Sequence, residues 1–337
     1  MPRVSCLFKL TGTETFRLSS SKLFGTGTNM QNWSKEMRKI VRPDLGKVLV
    51  QVDQAGAEAL VVAYLCNYGS FRELFLSGVK SHVFVALRVF EQVWRGKCYK
   101  QAQAGEIDFD SIFSATPGKV RDCKGWKIVD TIIKDSDNWP ASERYYYIAK
   151  MICHAANYGM KGPAFQLNVL QKSEGKIALS REEAEKYLDQ YHSLFPEIRE
   201  WHHETEQILR ATRKLRNLFG FPREFVTAWN DNLLKEALAF VPQSTVGCIT
   251  NIAYDRLQSY IEANKLDWDL LNNCHDSYLC QVPSGQEHEA AKVMIDFMCQ
   301  DLQNSRGEKF KMKAAASIGL NWGSYHPKKN PEGLKEI

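Results

Sequence analysis

The feature that most constrains this chain is a β-branched run, KVLVQVD at 47–53, that ends on a carboxylate and passes at once into AEALVVAYL, which has the period of a helix. Asp53 therefore sits at a strand-to-helix junction. A second carboxylate, Asp276, lies in LDWDLLNNCHDSYLCQVP, where Asn272 and Asn273 offer a turn and 277–282 return as a strand. Between the two lies a helical block. Helical spacing covers 142–158 and stops at Gly159, a natural residue just past a helix end. A second helix starts at Ser180 with the capping-box-like REE and runs through Tyr191, and a third covers 196–215. GFPREF at 220–225 interrupts, after which 231–240 and 245–263 read as two more helices. Residues 98–140, with Gly105, Pro117, Gly118, Gly125 and Pro140 among mixed charges, read as loops or a peripheral insertion with little chemistry. This order implies an α+β protein whose middle helical block is inserted between pieces of one sheet.

With 337 residues and 44% hydrophobic content the chain can bury one large core or two smaller ones. A formal charge of +5 permits a polyanionic partner without demanding one. The nine cysteines are scattered, with no CxxC pair and no secretory signal, which reads as reduced thiols in the cytosol. The apolar run over 57–65 contains Glu58 and falls short of the roughly 20 residues of a spanning helix, so no membrane role is expected.

Two aspartates at sheet edges, separated by a helical block, are what a two-metal phosphoryl-transfer site requires, since carboxylates ligate Mg²⁺. Either one alone is more often a cap or a turn former. On the central helix Lys150, His154, Asn157 and Tyr158 fall at offsets of zero, four, seven and eight, one face carrying a cation, an imidazole and a phenol. Such a face suits a triphosphate and a stacked base; its plainer reading is a solvated polar face beside a core aromatic.

The motifs taken in order resemble family A, polymerase I-like, DNA polymerases over nearly the whole chain. TETFRLSSS with NMQN (residues 13–21 and 29–32) resembles the family's RLSSS and NLQN; VQVDQAGAEALVVAYL resembles motif A, AKMICHAANYGM motif B, and CHDSYLCQVP motif C. EEAEKYLDQYHSLFPEIREWHHET, NLFGFPREF, FVPQST and GLNWG are similar to the landmarks that follow. The resemblance implies an antiparallel palm sheet with packed helices and an inserted, mainly helical fingers subdomain. It divides the chain into a first palm part (1–67), fingers (68–235, with the loop-rich insertion near 98–140) and a second palm part (236–337).

It also implies roles. Asp53 and Asp276 ligate two Mg²⁺ ions, for which Mn²⁺ can substitute, helped by the main-chain carbonyl of Gln54. Lys150 neutralises the phosphates of the incoming dNTP, His154 and Tyr158 flank the nucleotide, and Glu58 with Tyr158 crowds the sugar's 2′ position. His275 touches the primer end, while Arg17, Gln31, Asn32, Arg223 and Gln243 contact primer-template DNA. The activity implied is template-directed DNA synthesis, in the cytoplasm of a bacterium or of a phage-infected cell.

Departures from the family pattern are specific. Tyr146 stands where motif B usually has an arginine four residues before the lysine, and Arg144, six before, lies about 600° around the helix and points away from Lys150. His154 replaces an aromatic residue of the cellular enzymes, a change resembling certain phage members, and Ser277 replaces a carboxylate common after HD. Met1 lies just before the RLSSS region, so a thumb and an exonuclease domain are expected to be absent, or supplied by a second polypeptide. Two rivals are a single-subunit RNA polymerase, opposed by Glu58 and the RLSSS/NMQN pair, and a non-catalytic DNA-binding remnant, opposed by the intact Asp53, Lys150 and Asp276.

Overall fold

The computed structural model describes residues 3–10, 12–22, 25 and 27–337. The chain runs through β1 (Lys47–Gln54), α1 (Ala57–Leu65), α2 (Ser81–Val89), α3 (Tyr145–Asn157), α4 (Arg181–Leu194), α5 (Pro196–Thr212), α6 (Asp231–Asn264), β2 (Asp269–Cys274), β3 (Ser277–Pro283), α7 (Glu287–Met298), β4 (Ala314–Gly319) and β5 (Lys335–Glu336), with shorter helices and strands between them. It separates into two compact units. One comprises the described residues of Met1–Val61 with Leu215–Glu224 and Phe240–Ile337; the other comprises Val62–Lys214 and Phe225–Ala239.

The first unit is built on an antiparallel sheet of order β5-β4-β1-β3-β2. The run that dominates the sequence takes its centre, with Leu49, Val50 and Val52 completely buried. α7 packs against β1 and β4, and the buried Tyr278 hydroxyl of β3 donates to the Met294 carbonyl of that helix at 2.7 Å. On another side Met30, Leu49, Cys274, Leu279 and Trp322 form one apolar cluster. The α+β architecture expected from the order of patterns is the one observed.

The second unit is helical. Its core holds an aromatic group in which the Phe71 and Tyr191 rings each lie about 5 Å from Phe195, an edge-on geometry favoured by ring quadrupoles. α4 begins with a reciprocal capping box: Ser180 Oγ accepts the Glu183 N–H at 3.0 Å and the Glu183 carboxylate accepts the Ser180 N–H at 2.7 Å. That satisfies two donors the helix cannot satisfy itself.

Three local expectations are corrected. Residues 98–140 are largely helical, with Tyr99–Gln103, Phe109–Ser114 and Trp126–Asp135 as helices, because Ile112, Phe113, Val129 and Ile133 find a core that outweighs the interspersed glycines and prolines. Residues 231–264 form one helix that continues through Pro242, not two. Finally Asn272 and Asn273 are buried in β2, next to a register shift between Leu270 and Asn272, and the turn falls at His275 and Asp276. No described helix is long and apolar enough to cross a membrane.

Candidate active site

In the first unit, strand register brings the two aspartates together. Asp53 lies opposite Ser277 of β3 and opposite Ala315 of β4, and the Gln54 N–H donates to the Asp276 carbonyl at 3.1 Å. Asp276, in the hairpin loop, immediately precedes the strand partner of Asp53, and its charge acts on Asp53. The tight β2–β3 hairpin puts His275 at φ 62°, a left-handed conformation that two-residue hairpin loops require and that presents its imidazole outward. Ser277, in place of a further carboxylate, is buried and donates to the Cys274 carbonyl at 3.2 Å.

The electrostatics follow from that juxtaposition. Asp53 keeps an exposed edge, yet the protein atoms crowding it, and next the like charge of Asp276, raise its pKa to about 7. Arg38 pulls the other way. Desolvation likewise raises Asp276, with Arg17 opposing, and holds the His275 imidazole below its ordinary value. Arg38 escaped the sequence reading, standing in a charged KEMRK stretch with the look of an ordinary surface. Its guanidinium stacks 4.5 Å over Trp322, its Nε donates to the Trp33 carbonyl at 3.2 Å, and Nη2 lies 3.7 Å from the Cys274 sulfur.

Glu58 stands in the first turn of α1 and forms an ion pair with Arg17, both largely shielded. The Arg17 segment packs tightly on α6. The Asn251 amide donates to the Phe16 carbonyl at 2.7 Å, and a Cβ on Gly247 would come within 3.0 Å of the Thr15 carbonyl oxygen, so only glycine fits there without displacement. Gln54 has its side chain turned inward, donating to Thr250 Oγ1 at 2.7 Å. Gln31 is also buried: its amide donates to the carbonyls of Leu18 and Asn273, both at 2.9 Å, and accepts the Ser20 N–H at 2.8 Å. Asn32 beside it is exposed. Arg223 pairs with Glu14, and Gln243 is half-buried on α6.

In the second unit, Lys150 and His154 face outward from α3. Asn157, seven residues on from Lys150, is buried, its side-chain oxygen accepting the Tyr191 hydroxyl at 2.6 Å and its carbonyl accepting His202 Nε2–H at 2.8 Å. Tyr158, just past the helix, is buried with its ring edge-on to His154 at 5.2 Å, and Gly159 follows at φ 67°. Lys150 Nζ sits 4.1 Å over the Tyr146 ring and 2.6 Å from Asp137 Oδ2. Asp137 was invisible in the sequence, lying in the stretch read as chemically quiet. Arg144 is not turned away as helical geometry implied. It is the residue before the first turn of α3, non-helical at φ −79°, ψ 59°, and its Nη2 lies 3.7 Å from Asp137 Oδ1.

Among the described residues no three His, Cys, Asp or Glu side chains gather as a metal cage. Two adjacent carboxylates that repel one another form an oxygen donor set suited to Mg²⁺, which ordinarily takes one or two protein carboxylates and fills its octahedron with waters and substrate phosphates.

Residues 132–324 match the model of DNA polymerase family A. The chain is 22% identical over 330 residues to "DNA polymerase I B, chloroplastic/mitochondrial" of Arabidopsis thaliana and 21% identical over 333 residues to DNA polymerase I of Caldicellulosiruptor bescii. Each similarity takes in 95% of this chain, which spans 29% and 32% of those relatives' lengths. Among solved structures, the "POL domain of Pol1 from M. smegmatis complex with DNA primer-template and dNTP" superposes with a TM-score of 0.68 at 18% identity, over 95% of this chain and 48% of the other, a likeness of fold.

Proposed function

The chain belongs to DNA polymerase family A, and we propose on that footing that it is the nucleotidyl-transfer core of a template-directed DNA polymerase, adding deoxynucleotides to a primer 3′ end. The observation that carries this reading is the Asp53–Asp276 pair, two carboxylates held side by side by strand register although their charges repel. A bound cation offsets that repulsion. Asp53, Asp276 and the main-chain carbonyl of Gln54 would hold two Mg²⁺ ions, with Mn²⁺ able to replace them; the Gln54 side chain, bonded to Thr250, is committed elsewhere. When bound, such ions activate the attacking hydroxyl and offset charge on the leaving oxygen.

The side chains then divide the work. Lys150 supplies fixed positive charge to the nucleotide's phosphates, and that charge gains most as negative charge builds in the transition state. Glu58, anchored by Arg17, sets a carboxylate against the sugar's 2′ position, so a ribonucleotide has to displace or desolvate it. His154 and Tyr158 offer a ring pair to the nucleotide, and His275 addresses the primer end. Arg17, Asn32, Arg223 and Gln243 contact DNA without reading its sequence, as backbone contacts do. Gln31 serves from inside, bracing the Leu18–Ser20 segment against the Asn273 carbonyl. In this reading the sheet-bearing first unit corresponds to the palm and the helical second unit to the fingers.

Primer extension in Mg²⁺ with deoxy- against ribonucleotides tests the assignment. Preference for deoxynucleotides on a primed template is expected; primer-independent ribonucleotide synthesis from a promoter would overturn it.

A further inference from the structure

We propose that Asp137 is an internal counter-anion occupying the phosphate seat of Lys150 and Arg144, so that the incoming triphosphate must displace it. This deepens, and rests on, the reading of Lys150 as a phosphate-binding residue. The short turn that carries Asp137, Ser136–Asn138, is hydrogen-bonded on both sides. Ser136 Oγ accepts the Tyr146 N–H at 3.0 Å and donates to the Ile133 carbonyl at 2.6 Å, fastening the turn to the start of α3. From there Asp137 gathers two cations. Its carbonyl accepts Arg144 Nε–H at 2.9 Å, and its carboxylate Oδ2 accepts Lys150 Nζ at 2.6 Å.

The fit of the carboxylate to this pair is incomplete. Oδ1 is buried without a hydrogen-bond partner, and Arg144 Nη2 stands 3.7 Å from it, too far for a hydrogen bond. A planar carboxylate thus satisfies one cation and leaves its second oxygen stranded. A tetrahedral phosphate presents three oxygens and matches a guanidinium and an ammonium together. The seat is also reachable, since the side chains of Lys150, Arg144 and Asp137 retain 37%, 32% and 28% of their exposure. Lys80, His82 and His154 also act on this neighbourhood, and Asp130, paired with Lys134, acts on Tyr146 beneath Lys150; burial holds His82 neutral, with a pKa lowered to about 4. Asp137 therefore supplies the negative charge that holds Lys150 beside Tyr146 while no nucleotide is bound, and its charge subtracts from nucleotide affinity.

The test is equilibrium binding of a deoxynucleoside triphosphate to the full chain with Mg²⁺, for wild type, D137N, K150A and the double variant. Asn keeps the main-chain carbonyl that holds Arg144 and an acceptor for Lys150 but removes the charge. D137N is expected to tighten binding about two- to fivefold, the scale of a partly exposed ion pair. With Lys150 already replaced, the same change is expected to tighten binding less, because only Arg144 is then left for Asp137 to neutralise, a dependence on Lys150 that a merely structural role for Asp137 would not produce. D137S, smaller and also uncharged, repeats the comparison if D137N fails to fold. Unchanged or weaker binding by a folded uncharged variant overturns the proposal. If K150A itself leaves nucleotide binding unaltered, the phosphate-binding reading fails first, and this inference with it.

Discussion

Replacing Asp53 with Asn should stabilise the metal-free protein at mildly alkaline pH, although it removes the residue on which activity is proposed to depend. The native carboxyl is raised from 3.8 to about 7 by desolvation and by Asp276. Each unit is worth about 1.4 kcal/mol, which puts a ceiling on the order of 4 kcal/mol on the effect. Asp53 is substantially exposed, so solvent screening brings the expected contribution down to about 1 kcal/mol. Its sign follows from proton counting. Between pH 3.8 and about 7 the native state retains a proton that the unfolded chain has released, so stability present below that window is lost as pH rises through it. The Asn side chain is neutral throughout and loses nothing. Urea unfolding in EDTA should therefore show the variant more stable by about 1 kcal/mol at about pH 8 and nearly equal to wild type at about pH 4. Added Mg²⁺ should raise the wild-type midpoint more than that of the variant, because a cation bound to the native state stabilises it. A variant less stable than wild type at about pH 8, or a difference indifferent to pH, would refute the account of two mutually opposed carboxylates.

Other expectations are more local. Ser180→Ala removes half of the capping box on α4 and should cost about 1 kcal/mol in urea unfolding; no loss would mean the cap is idle in solution. His275→Gly relieves a left-handed backbone and should stabilise by up to about 1 kcal/mol while weakening primer extension, whereas a destabilised hairpin would contradict the strain. Glu58→Ala should reduce discrimination against ribonucleotides about tenfold in single-nucleotide incorporation, a change of about 1.4 kcal/mol. Unaltered discrimination would leave Glu58 as the partner of Arg17 and nothing more.

What the sequence made legible was the part governed by local pattern. A β-branched run ending in Asp53 has few ways to fold, and the capping box at Ser180 needs only four consecutive residues to be recognised. The unread parts depend on partners distant in sequence. Pro242 should end a helix by local rules, but the buried residues on either side, Val241 and Val246, keep α6 continuous. Asn272 and Asn273 carry turn chemistry yet are drawn into β2 by its pairing with β3, which moves the turn to His275 and Asp276. Helical angle turns Arg144 away from Lys150, but Arg144 lies just outside the helix, where that angle has no meaning. Asp137 and Arg38 leave no local signature; each matters through a neighbour far along the chain or across a turn.

The central claim is that Asp53 and Asp276 form one metal-dependent catalytic pair, and single-turnover incorporation of a deoxynucleotide on a primed template tests it most directly, with primer-template affinity measured in parallel. For Asp53→Asn and for Asp276→Asn the account predicts a loss on the order of 10³-fold in Mg²⁺-dependent incorporation, with DNA affinity preserved. Incorporation near the wild-type rate in either variant, or no incorporation by the wild-type chain on DNA that it binds, would contradict it.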